Sequence, residues 1–195
     1  MTSTAASNTA CCTGGPTRRG FARVAGVLLA AALVLPACVA TPGCGEAPAP
    51  AGFERVTIND RTFTLELALD DATRTQGLSG RASIPADGGM LFVFPKTGLR
   101  FFVMRDCLVP IDIIYLDASG RITAMHAMQV EPPRGEGEGQ PGETNIAYES
   151  RLKKYASRFS AQFAIELAGG TLESLELEPG DLIELDLDRL KDLAK

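Results

Sequence analysis

Three apolar runs follow one another closely: Met90-Leu91-Phe92-Val93-Phe94, Phe101-Phe102-Val103-Met104 and Ile111-Asp112-Ile113-Ile114-Tyr115-Leu116. Met90, Phe92, Phe94, Phe102 and Met104 recur at alternate positions, which is the spacing of one buried face shared by two strands. Charged residues stand among and beside these runs: Arg74, Arg81, Arg105, Asp106 and Asp112. A charge beside a core strand is costly unless it is paired or exposed at a rim. The stretch from Arg74 to Asp117 is therefore where a site is expected.

Working outward, Val56–Ile58 and Phe63–Leu69 read as a hairpin around the Asn59-Asp60 turn signal. Asp70 or Asp71 caps a short helix that runs through Gln76 and stops at Gly77. Strands are expected at Met90–Phe94, Phe101–Met104 and Ile111–Asp117, with Ala118-Ser119-Gly120 turning into Arg121–Val130. Taken as a three-residue loop, that turn pairs Asp117 with Arg121 and hence Asp112 with His126. A slip of one residue would break the pairing and swap faces.

Glu131–Thr144 holds Pro132-Pro133, Gly135, Gly137, Gly139 and Pro141-Gly142, so it forms no regular element. A loop this long is either mobile or a functional flap; its Glu-Gly repeats favour mobility. Arg151–Arg158 reads as a solvated turn or short helix. Phe163–Leu167 is expected as a strand, Thr171–Leu175 as a short helix, Leu182–Leu187 as a strand and Asp188–Lys195 as a short helix or tail. Many short strands, no long amphipathic helix and no βαβ alternation predict a mainly β, compact, sandwich- or barrel-like single domain with short helices.

Residues 1–38 read as an export leader. Thr17-Arg18-Arg19-Gly20-Phe21-Ala22-Arg23 resembles the twin-arginine export motif, and an ordinary secretory n-region is the alternative. Val24–Val34 is an uncharged run too short to span a bilayer. Leu35-Pro36-Ala37-Cys38 looks like a bacterial lipobox, with Cys38 as the residue that would be lipidated; the alternative is plain cleavage nearby. Residues 39–52 read as a flexible tether and residues 53–195 as the mainly β domain. The expected location is the bacterial cell envelope, lipid-anchored to a membrane and facing the periplasm or exterior. Cys44 and Cys107 could pair there, but Cys107 is expected first as a buried structural thiol.

All 24 acidic residues lie at Glu46 or later, against 16 of the 19 basic ones. That net charge of −8 opposes nucleic-acid binding, which needs a basic footprint to displace counterions. One His and scattered Cys are too few soft ligands for a zinc site. Arg74 to Arg81 lacks the spacing and the Lys-Ser/Thr of a phosphate loop. No cofactor is expected.

Arg74…Gly77-Leu78…Arg81, Gly89-Met90-Leu91-Phe92, Met104-Arg105-Asp106-Cys107-Leu108-Val109-Pro110-Ile111-Asp112-Ile113 and Gly180-Asp181 resemble a bacterial and archaeal family. It is called the domain of unknown function 192 family, or uncharacterised protein family 0127. The likeness spans roughly Val56–Leu187. It implies a small, mostly β domain that is often exported or lipid-anchored. The family's central run is more often Phe-Trp-Met-Lys-Asn-Thr; here Val103, Asp106 and Cys107 stand at the Trp, Asn and Thr positions.

Guanidinium groups bind carboxylates bidentately, so Arg74, Arg81 and Arg105, with Asp106 and Asp112, form the expected ligand-binding set. Its ligand would be a small polar or anionic molecule or an envelope partner. The bland alternative is that the arginines pair with Asp106, Asp112 and Asp181 as struts. An envelope enzyme of hydrolase type would use Asp112 with His126, or Cys107 with His126 as nucleophile and base. A calcium site from Asp106 and Asp112, and a purely structural module, are weaker readings.

Overall fold

Backbone pairing organises the domain around one mixed sheet of six strands. The computed structural model describes residues 49–195; the expected export leader with Cys38, and the expected tether up to residue 48 with Cys44, lie outside the described residues. Strands β1 (Phe53–Ile58) and β2 (Arg61–Ala68) form the expected hairpin, with Asn59 in the left-handed conformation at φ 53°. Helix α1 (Asp71–Gln76) follows. The Asp70 carboxylate accepts from the Thr73 backbone N–H as its N-cap. Gly77 ends the helix at φ 50°, a conformation that glycine adopts without a Cβ penalty.

Next come β3 (Gly88–Gly98), β4 (Phe101–Phe102), β5 (Ile111–Leu116) and β6 (Ile122–Met128). Helix α2 (Ile146–Arg151), β7 (Tyr155–Ala156), β8 (Ala161–Ala168), a 3-10 turn at Leu172–Ser174 and α3 (Leu187–Leu193) complete the chain. The sheet order is β1-β2-β3-β8-β5-β6, and β4 pairs with β7 in a separate two-stranded ribbon.

Three expectations about topology change. β2 and β3 are parallel, joined through α1, so a crossover unit exists where none was expected. Their connection contains one helix of six residues, too short to carry a helical period. The second sheet is only the two-stranded β4–β7 ribbon, so the domain is mainly β without pairing two full sheets as a sandwich. Leu182–Leu187 forms no strand: it has one bridge, Leu182 to Arg121, and ties to the β5–β6 turn through Ile183 N–H to Gly120 O at 3.0 Å.

Both faces of the sheet are apolar and both are covered. One carries Val56, Phe63, Leu65, Leu91, Val93, Phe163 and Ile165 and packs against Leu175, Ile183 and Leu190 of the C-terminal segment. The other carries Met90, Phe92, Ile111, Ile113, Tyr115 and Ala164 and packs against Leu78, Met104, Cys107 and Tyr155. The predicted aromatic face is present: Met90, Phe92 and Met104 are buried in this second cluster, with Phe94 and Phe102 half-buried against it. Gly89, at φ 149°, lets β3 approach β8, because a Cβ there would stand 2.2 Å from Glu166 O.

The hairpin β5–β6 corrects the predicted register. Asp117 N–H does bond to Arg121 O, at 2.9 Å. A bulge follows: Leu116 faces Ile122, but Tyr115 faces Ala124, so Thr123 is the extra residue. Beyond it Ile113 faces His126 and Asp112 faces Ala127. Asp112 and His126 are not a cross-strand pair.

Candidate functional site

The five residues expected to form one site divide among several places. Arg74 is tucked under α1, where it donates to Val93 O at 2.8 Å, Lys195 O at 2.6 Å and Asp71 Oδ1 at 2.7 Å. Arg81 makes a two-pronged pair with Glu66, its Nη2 lying 2.8 Å from Glu66 Oε2, which holds the Glu66 carboxyl below its usual pKa. Arg105 donates to both oxygens of Glu149, at 2.5 and 3.0 Å. None of the three pairs with Asp106, Asp112 or Asp181 as the strut reading had it.

Asp106 takes a left-handed conformation, φ 51°, which Asp and Asn adopt more readily than other side-chain residues. Its two oxygens accept from Arg134 Nε at 2.8 Å and Nη2 at 2.9 Å, and from Gly142 N–H at 2.9 Å. The Arg134 hydrogen bonds hold its carboxyl below the ordinary range. Asp112 is buried on the other face of β5, where Oδ2 accepts from Leu172 N–H at 2.8 Å and so anchors the 3-10 turn. Burial raises the Asp112 pKa despite those backbone donors. Asp106 and Asp112 thus have separate partners. Among the described residues no group of three or more His, Cys, Asp or Glu could hold a metal ion.

The nucleophile–base readings also change. His126 Nε2 lies 2.8 Å from Ala156 O, and its ring packs against Tyr115 and Tyr155. The Cys107 thiol is buried, lies 3.5 Å from Arg105 O, and is pushed up to about 11 chiefly by burial. It is a protonated thiol at neutral pH, unlike an activated nucleophile.

What the structure does bring together is a cleft of about 780 Å³ between α1 and the segment from Pro95 to Cys107. That volume is within the range of small-molecule sites. Arg74 and Arg105 line it; Arg81, Asp106 and Asp112 do not. Its aromatic wall is Phe92, Phe94 and Phe102, with Phe102 edge-on to Phe92 at 4.9 Å and to Phe94 at 6.5 Å.

Glu166 lies at this wall. It occupies the central strand β8, between Met90 of β3 and Ile113 of β5, on the same face as Ala164 and Phe92. It is buried, and its Oε2 has no hydrogen-bond partner. Burial pushes its carboxyl up to about 8, and the charge of Arg81 offsets this only in part. At neutral pH the group is mostly protonated and can donate a hydrogen bond.

Arg100 stands at the same cleft, its guanidinium 4.0 Å from the Phe94 ring centre. Its Nε is buried without a partner, and burial, then the charge of Arg74, lowers its pKa. Among the described residues these are the two buried side-chain polar atoms that lack a partner, and both belong to residues lining one cleft. The sequence signal for Glu166 was a lone acid inside the apolar run Phe163-Ala164-Ile165-Glu166-Leu167. Arg100 carried no comparable signal.

A second cleft, of about 1160 Å³, adjoins the first across Arg105 and Cys107 and is walled by Pro132, Pro133 and Arg134 of the long loop. Hydrogen bonds and ion pairs tie this loop to the rest of the domain. Arg134 holds Asp106 and lies 3.9 Å from the Tyr148 ring centre, while Arg151 pairs with Glu138 at 2.7 Å. The Arg151 hydrogen bond draws the Glu138 carboxyl down to about 2.

Fold and cleft together define a small, mainly β domain with a ligand-sized recess. The family model described as uncharacterized ACR, the domain of unknown function 192, matches residues 54–185. The chain belongs to this family. No curated protein matches it. A solved structure from Sinorhizobium meliloti 1021, described as a candidate transcription regulator, is similar at 27% identity and a TM-score of 0.52, covering 72% of this chain and 97% of that one. A protein of unknown function from Novosphingobium aromaticivorans DSM 12444 is similar in fold at 22% identity and a TM-score of 0.53, covering 71% and 91%.

Proposed function

We propose that this protein is an exported, lipid-anchored binding domain of the bacterial cell envelope that takes a small polar or anionic ligand in the Glu166 cleft. One observation carries the ligand reading: the buried, partnerless Arg100 Nε and Glu166 Oε2 share that cleft. A buried polar atom without a partner is costly, and a bound molecule that supplies the partner recovers that cost. An anionic group would meet Arg100 and the rim residue Lys96, a hydroxyl or carbonyl group would meet protonated Glu166, and an apolar or planar body would lie on Phe94 and Phe102. Arg74 and Arg105 have protein partners of their own, so they shape the rim and add positive potential there. The envelope assignment rests on the arginine pair, the apolar run and Cys38. The sinorhizobial structure is described as a candidate transcription regulator; for this chain, direct nucleic-acid binding is disfavoured by the net charge of −8 from Glu46 onward.

The test is a melting-temperature screen of the wild-type protein with envelope-derived sugars, peptides and small carboxylates. At least one class should raise the melting temperature, and Glu166→Leu and Arg100→Gln should fold yet lose most of that rise, whereas Glu166→Gln, which keeps a neutral donor, should retain it. No shift with any class, or an undiminished shift in both Glu166→Leu and Arg100→Gln, would defeat the cleft reading. Separately, Cys38→Ala should release the protein from membranes; an intact leader with unmodified Cys38 would end the anchor hypothesis. Arg18→Lys with Arg19→Lys should block export, whereas normal export would favour the general secretory route.

A second reading has one specific support. A carboxyl group raised to about 8 in a cleft suits a general acid. Hydrolysis of a sugar or peptide that depends on Glu166 would replace binding with catalysis as the function.

A further inference from the structure

We propose that the outer face of the β4–β7 ribbon docks on an anionic lipid surface. The inference depends on neither the ligand of the cleft nor the fate of the leader. Residues 88–105 and 150–165 contain seven Lys and Arg and none of the chain's 24 acidic residues. The ribbon brings these two segments side by side, with Phe101 opposite Ala156 and Phe102 opposite Tyr155. Phe102 and Tyr155 point into the core cluster. Alternation therefore turns Leu99, Phe101 and Lys154 outward.

The side chains that face outward combine two chemistries. Leu99 and Phe101 are each 59% exposed and Phe159 is 68% exposed, on a domain whose other aromatic rings are largely buried. Lys96, Lys154 and Arg158, on the same two segments, are exposed as well. Acids on adjoining elements are already engaged: Asp71 with Arg74, Glu138 with Arg151, Glu149 with Arg105, and Glu131 with the Lys153 backbone N–H. The face therefore stays cationic and apolar on a domain that is otherwise strongly acidic.

Charge complementarity selects the occupant. Exposed Phe and Leu tips enter the headgroup boundary while Lys and Arg meet lipid phosphates. A second copy pairing through the same face would bring like charges together. A nucleic-acid strand could stack on the two phenylalanines but has no use for Leu99 and would be repelled by the remaining acidic surface. Because Lys96, Leu99 and Phe101 also line the Glu166 cleft, docking would turn the cleft mouth toward the lipid.

The chain contains no tryptophan, so Phe101→Trp or Phe159→Trp introduces a single reporter. The full-length variants are mixed with vesicles of phosphatidylglycerol and phosphatidylcholine, or of phosphatidylcholine alone, with and without brominated acyl chains. The leader is common to every arm. The indole emission should shift to the blue and be quenched by brominated lipid on anionic vesicles only. Lys96→Glu, Lys154→Glu and Arg158→Glu together should weaken the anionic-vesicle response at least about tenfold. Should that triple variant fail to fold, loss of the response at about 1 M salt makes the same point. Water-exposed emission on anionic vesicles at both positions would overturn the proposal. So would a shift produced by single-stranded DNA but not by vesicles, or one that follows protein concentration without vesicles.

Discussion

Gly77, which ends α1, faces the carboxyl group of Glu166: a Cβ at position 77 would stand 3.6 Å from Glu166 Oε2 and 3.5 Å from Phe92 Cζ. The end of a surface helix and the middle of the central strand thus share the wall of one cleft. A side chain at 77 would meet no hard clash, but the backbone there, at φ 50° and ψ −136°, is a glycine conformation. Gly77→Ala should cost about 1–3 kcal/mol through that strain and should weaken ligand binding by narrowing the approach to Glu166. Denaturant melts and the ligand-induced melting shift check the two effects separately. An unchanged midpoint would show that the turn can relax.

Glu166 should make the protein less stable as the pH rises. Its folded pKa, about 8, lies above the ordinary value of 4.5, so the native state holds a proton that the unfolded chain has released between those values. Where the native state binds more protons, unfolding free energy falls with pH. The proton is no handicap below about pH 4.5, and the penalty grows until the pH passes 8. Glu166→Gln should remove this slope and gain up to roughly 3 kcal/mol at pH 7. Urea melts of both proteins from pH 5 to about 8.5 would show parallel curves if Glu166 were ionised throughout.

Arg134 joins the long loop to Asp106, so Arg134→Ala should free the loop while sparing the core. Hydrogen exchange and proteolysis should accelerate within residues 131–144, with β3, β5 and β8 still protected. Acid should act in the same way. The Asp106 carboxyl is held below its usual pKa, so its contribution is present at neutral pH and lost as the pH falls through its lowered folded value. Loop cleavage unchanged by both treatments would mean that the Arg134–Asp106 pair is not what holds it.

Local features of this fold could be read from the chain, and non-local ones could not. The Asn59-Asp60 hairpin, the Asp70 cap, the Gly77 stop and the alternating Met90, Phe92 and Phe94 each depend on residues a few positions apart. The parallel pairing of β2 with β3 depends on segments separated by α1 and a turn-rich connection, whose six-residue helix shows no amphipathic period. The Asp112–His126 pairing failed because one extra residue, Thr123, enters the ladder near its closed end and shifts every later partner. Arg74 and Arg105 both line a cleft, but among their partners Lys195 O and Glu149 are 121 and 44 residues away. Glu166 was hardest to see. An acid in a short strand usually faces water, and nothing nearby in sequence shows that α1 and the 95–107 segment cover both it and Phe92.

Phe92 and Phe94 are two residues apart on β3 and line the same cleft, yet their loss should have different effects. Phe92 is fully buried, edge-on to Phe102 and against the Glu166 side of the wall. Phe92→Ala leaves a cavity that surrounding strands cannot close and should cost about 3–5 kcal/mol. That is a large part of the roughly 5–15 kcal/mol expected for a domain of this kind. Phe94 is only half-buried and bears Arg100 on its face. Phe94→Ala should cost less, about 1–2 kcal/mol from lost contact and a cation–π pair. It should also let the Arg100 side chain move away, lowering ligand affinity more than stability. Denaturant midpoints at constant slope measure the first quantity, and the ligand-induced melting shift measures the second. A loss below about 1 kcal/mol for Phe92→Ala would place that ring outside the core. Equal stability losses with unchanged binding in Phe94→Ala would remove Arg100 from the site.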